Sequence, residues 1–209
     1  MNKAKVRATL LALLLPLLLN ATHILRNDLL KLEAVELIEK MGTELQTKTG
    51  VNAYVIATNE HFVERYNLVE HSKQYEAKLS KPYVLFIFAP YATITKKAEA
   101  RGRVGIIPSS DTVKAMYNYE DVRDAGIDIV AIKDSNTPED KFNIGILQAY
   151  SVLADNIAAS KGLKLENTIP NEVGFMVNIL RVFVYTGSLI LLWIFMFRPL
   201  WQRMRNGKK

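Results

Sequence analysis

Apolar residues at Leu29, Leu32, Val35, Ile38, Met41 and Leu45 recur in steps of three and four, the repeat of one helical face. Asn27 and Asp28 precede them as candidate caps, and Gly50 fits the position just past a helix end. Val51 to Ala57 then alternates, with Val51, Ala53, Val55 and Ala57 on one side of a strand. A more polar helix is predicted from about Glu60 to Leu79, with Asn59 as its cap. Lys81-Pro82 opens the run Tyr83 to Phe88, which is apolar on both sides and reads as a central strand covered twice. A connection follows, then a strand over Arg103 to Ile107 that Pro108 ends.

A short helix is expected from Asp111, capped by Ser110 or by Asp111 itself. Residues 127–132 fit either a fourth strand or the end of a helix. Thr137-Pro138-Glu139-Asp140 is a strong helix start: a capping hydroxyl, proline in the first turn and acids near the positive end of the dipole. Phe142, Ile146, Tyr150, Leu153 and Ile157 form its buried stripe, and Lys161-Gly162 ends it. Helices alternating with apolar strands argue for an α/β layer fold.

The two ends differ from this middle. Residues 8–19 are almost wholly apolar and follow Lys3, Lys5 and Arg7, the form of a signal sequence. Both an uncleaved anchor and a cleaved signal peptide fit residues 1–25. Phe175 to Phe197 is interrupted by only two strongly polar residues, Asn178 and Arg181. At about 1.5 Å per residue it reaches roughly 34 Å, enough to cross a bilayer core. Trp193 and Trp201 lie near its far end, where indoles favour the interface. Arg181 can snorkel outward or meet a headgroup. The expected organisation is an N-terminal signal or anchor helix over 1–25 and an extracytoplasmic domain over 26–162. A linker over 163–174, a transmembrane helix over 175–197 and a basic cytoplasmic tail over 198–209 complete it.

Charge supports that division. The chain has 209 residues with 27 Lys and Arg against 21 Asp and Glu, a formal charge of +6. Nine of the basic residues are Lys3, Lys5, Arg7, Arg181, Arg198, Arg203, Arg205, Lys208 and Lys209. Every acid lies between Asp28 and Glu172, so the middle is mildly acidic. A nucleic-acid binder would carry its positive charge on the folded body, so nucleic acid is not an expected partner. Basic residues beyond each apolar run put both ends in the cytoplasm and the middle on the outer face of a bacterial cytoplasmic membrane.

Candidate chemistry is sparse. With no cysteine, thiolate catalysis and Cys-ligated metals are excluded. His23, His61 and His71 are read as solvent-facing, the last two on different sides of a helix. The carboxylates Asp111, Glu120, Asp121, Asp124 and Asp128 are the best candidates for a cation, with Asp121, Asp124 and Asp128 at helical spacing. Oxygen-rich sets suit Ca²⁺ or Mg²⁺. A solvated acidic face is the simpler account of them, and no other cofactor is expected. Tyr117 and Tyr119 read as packing or as a recognition surface.

The order of these pieces resembles the TPM domain family over about residues 28–162. The carrying stretches are Leu45-Gln-Thr-Lys-Thr-Gly50 before the strand Val51 to Ala57, then Lys81 to Phe88, Arg103-Val-Gly105 with the downstream Asp111, and the closing helix Phe142 to Ala158. The resemblance implies a mixed β-sheet flanked by helices on both faces, and association with membrane protein complexes. It also implies divalent-metal binding and phosphatase activity in some members. Of the family's polar positions only Arg103 and Asp111 carry over, and residues 106–110 lack the glycine-rich loop.

Two functions follow as expectations. One is a non-catalytic domain that docks on a membrane protein complex or another envelope protein and helps to assemble or maintain it. The alternative is a cation-dependent phosphatase in which Asp111, Asp121 and Asp124 bind the metal. The surroundings of Arg103 and Asp111 separate them: a carboxylate-lined pocket favours hydrolysis, a flat apolar patch favours docking.

Overall fold

The computed structural model of the chain describes residues 22–97 and 100–198, the side chains of residues 172–178, 180 and 181 excepted. It divides into two units, one ending at Pro170 and one from Asn171.

The first unit is built on a four-stranded mixed sheet in the order β1-β2-β3-β4. The strands are β1 (Ile24–Asn27), β2 (Asn52–Ala57), β3 (Tyr83–Thr95) and β4 (Ala100–Pro108). β1 and β3 each run parallel to β2, and β4 returns antiparallel to β3. Around them lie α1 (Leu32–Thr49), α2 (Leu68–Ser72), α3 (Asp111–Lys114), α4 (Tyr119–Ala131) and α5 (Pro138–Ser160). The expected α/β class and mixed sheet are both present.

The sheet's period of two sorts the core. Val51, Ala53, Val55, Ala57, Val84, Phe86, Phe88 and Ile106 meet Ile38, Met41 and Leu45 of α1 and the stripe Phe142, Ile146, Tyr150, Leu153 and Ile157 of α5. Each fully buried large side chain contributes about 1.5–3 kcal/mol, so this layer is the main source of stability. Tyr54, Ile56, Leu85, Ile87 and Ala89 face the other way. Their cover is thinner: Phe62, Leu68 and the half-buried Tyr66, Tyr75 and Leu79.

α5 begins as its sequence predicts, with the Thr137 side chain accepting from the Asp140 amide. Ser110 caps α3 by accepting from Val113. Gly50, at φ 74°, ends α1. α4 and α5 approach closely through paired glycines: a Cβ on Gly145 would lie 2.8 Å from the Gly126 carbonyl oxygen.

Several expectations are corrected. Residues 60–79 are not one helix. Residues 58–67 are irregular, Arg65 has φ 61°, and helix starts only where Asn67 accepts from the Val69 and Glu70 amides. A 3-10 turn over Lys73–Lys78 follows. Of the two readings of residues 127–132, a strand or a helix end, the helix end holds: residues 127–131 close α4. The fourth strand is β1, whose Ile24 and Leu25 fall in the expected leader and whose Arg26 and Asn27 open the expected domain. The sheet supplies its partners, since the Val55 amide donates to the His23 carbonyl. Lys31, not Asn27 or Asp28, occupies the N-cap position of α1, and Leu32 is exposed while Ala34 is buried. Asn27 instead closes a turn with Leu30. Much of the expected linker belongs to the domain: Leu165 is buried, and Ser151 exchanges hydrogen bonds with the Ile169 backbone.

The second unit contains α6 (Glu172–Leu192) and a π-helical turn over Trp193–Phe197. No helix among the described residues is long and apolar enough to cross a membrane. The side chains described without a break run from Val182 to Phe197. Within that stretch Phe183, Tyr185, Leu189, Trp193 and Phe195 are all exposed. The N-terminal apolar run, the Arg181 side chain, Trp201 and the basic tail after Arg198 lie outside the described residues.

Candidate functional site

The β3–β4 hairpin outruns the rest of the sheet, because β2 pairs with β3 only as far as Phe88. Beyond that point the hairpin faces the α4–α5 pair across a recess of about 200 Å³. Phe88, Pro90, Ile94 and Val104 line it from the hairpin, with Ile127 and Val130 from α4 and Phe142 from α5. The glycine contact between α4 and α5 sets this geometry, since it brings Ile127 and Val130 beside the start of α5. Ile94 and Ile127 are both exposed. Among the described residues no carboxylate lines the recess.

Arg101, Gly102 and Arg103 form the strand wall. Arg103 pairs in register with Ala89, whose side chain belongs to the thinly covered face of the sheet. Its guanidinium accordingly turns to that face and donates to the Tyr66 carbonyl. That bond holds the irregular segment over the sheet, so Arg103 has a structural contact.

The predicted cation residues lie apart from this recess. Asp111 is exposed at the start of α3. Asp121 is exposed in the first turn of α4. Asp124, one turn on, accepts from Arg123 at 2.8 Å. Among the described residues no three His, Asp or Glu side chains are grouped to hold a metal ion. Tyr119 is exposed and donates to the Val104 carbonyl at 3.4 Å. Burial pushes the half-buried Tyr117 phenol up to about 12, so it stays protonated at neutral pH.

Two histidines read as solvent-facing are buried. His71 packs edge-on to Phe62 and Tyr66 and accepts or donates at Nδ1 with the Tyr66 hydroxyl, 3.3 Å away. His23 is fully enclosed below β1. Its Nδ1 lies 3.1 Å from the Ala53 carbonyl, which the Tyr150 hydroxyl also reaches at 3.0 Å. Both carboxylate oxygens of Glu39 accept from the His23 backbone amide. The remaining nitrogen, Nε2, has no partner among the described residues.

The recess itself had no local signal in the sequence. Its lining comes from three distant stretches, and Ile94 stood in a segment read as a connection. Comparison with family models, with curated proteins and with solved structures finds no match for this chain.

Proposed function

We propose that this chain is a membrane-tethered TPM-like domain on the outer face of a bacterial cytoplasmic membrane. It docks on a membrane protein complex, or another envelope protein, and helps to assemble or maintain it without catalysing a reaction. One observation carries the reading: the recess walled by the backbone of Arg101 to Arg103 is apolar and no carboxylate among the described residues lines it, where a phosphatase of this type would need oxygen ligands. An open recess edged by Ile94 and Ile127 suits insertion of a partner's side chain into a small, dry anchor site.

The exposed apolar helix from Val182 to Phe197 supports the tether, taken together with the apolar residues that precede it in the sequence. A tether raises the effective concentration of a membrane-bound partner, so a modest contact suffices. The basic flanks and the acidic body set the orientation.

The test is affinity purification of the full chain in mild detergent, beside the Ile94→Glu variant. The expected result is a membrane protein recovered in stoichiometric amount with the natural chain and lost with the variant, both folding alike. Recovery that is equal in both, or no partner in either, would sink the docking function.

A further inference from the structure

Resting on the docking reading, we infer that the recess takes an acidic partner segment: one bulky apolar side chain in the recess, with a carboxylate close by that pairs with Arg101. Size limits the occupant first. About 200 Å³ is below the ~300–1,000 Å³ of sites that enclose a small-molecule ligand. It compares with the ~150 Å³ apolar cavity that admits a benzene ring, so it fits one leucine-, methionine- or phenylalanine-sized group. A single side chain delivered by a protein segment is the occupant of that size.

Charge then selects the segment. The hairpin between Lys96 and Arg103 carries four basic residues against the single acid Glu99. Arg103 is held by the Tyr66 carbonyl on the other face. Arg101 is exposed on the recess wall and makes no ion pair among the described residues, and Lys96 and Lys97 are exposed beyond Ile94. On the neighbouring helix, Asp124 pairs with Arg123 of the same helix at 2.7 Å. A basic rim around an apolar floor is complementary to an acidic segment with an apolar anchor, and it repels a basic one. A partner carboxylate on Arg101 would form a two-pronged, charge-assisted contact.

The experiment uses the full chain in detergent and a random-peptide display library as the probe. Selected peptides are expected to share a large apolar residue with Asp or Glu within two positions. Their binding should weaken roughly tenfold in Arg101→Glu and fall with added salt. It should be lost in Ile94→Glu, a change at an exposed position whose fold is checked by its thermal unfolding beside the natural chain. Peptides that need Ile94 yet show no acidic preference, or bind Arg101→Glu equally, would overturn the acidic partner and leave docking intact. Peptides indifferent to Ile94, or none selected, would remove both. Ile94-dependent self-association of the chain would replace the partner with a second copy and equally overturn the inference.

Discussion

The carbonyl of Ala53 can only accept, so His23 Nδ1 carries the proton and Nε2 is left as a bare acceptor. Protonation would add an N–H in dry surroundings with no acceptor among the described residues, where an unpaired polar group costs about 1–3 kcal/mol. Burial therefore holds this imidazole below its ordinary 6.5, against the Glu39 carboxylate and the Ala53 bond, which both favour the charged form. Tyr54 and Tyr150 complete the surroundings, with Tyr150 kept protonated by its own burial. The unfolded chain thus binds protons that the folded chain refuses. Stability is full above about pH 6.5 and declines as the pH falls below it. His71, lowered by burial in the same direction, adds to the slope. Denaturant midpoints at about pH 7.5 and about pH 5 should show this loss, and His23→Leu should show a smaller one. Equal losses in both proteins would remove His23 from the account. The Gly42 backbone explains why the ring fits: a Cβ there would lie 2.4 Å from its Cγ.

α1 does more than cover the sheet, because its outer side holds the segment after α5. Glu44 accepts from the Glu166 and Asn167 amides at 2.8 and 3.0 Å and from the Lys48 ammonium at 2.7 Å. Partial burial pushes this carboxyl up, but those bonds outweigh it and hold it at about 2. Its contribution is present above the ordinary carboxylate range and is lost as the pH falls from there through about 2. Glu44→Gln should speed hydrogen exchange at the Glu166 and Asn167 amides by roughly tenfold or more, while Ile169 stays protected by Ser151. Unchanged exchange at both amides would mean that Leu165 burial alone holds the segment. None of this was legible beforehand, since Glu44 and Asn167 are joined by folding across 123 positions. What was legible was local: the Thr137 cap, the α5 stripe, Gly50 and the alternation of β2. Residues 58–67 misled because Asn59 and Asn67 are equally good caps in the sequence. Only Phe62 and Tyr66, packing on the back of the sheet, decide between them. β1 was hidden because Ile24 and Leu25 read as the continuation of the apolar run and Asn27 as a helix cap.

For the molecule as a whole, charge and shape divide the work. The net positive charge is concentrated in the flanks, whereas the stretch between them is slightly acidic. The exception is the hairpin rim, and it stands beside the apolar recess that the folded domain leaves open. The recess has no counterpart in any single stretch of sequence, because β3, β4, α4 and α5 each supply only one wall. Docking through it is the central claim. A photoreactive residue placed at Ile127 in living cells, with the equally exposed Leu163 outside the recess as reference, tests it most directly. The account predicts one discrete crosslinked membrane protein from position 127, none from 163, and loss of the product when Ile94→Glu is added. The same product from both positions, or no product from 127, would contradict it.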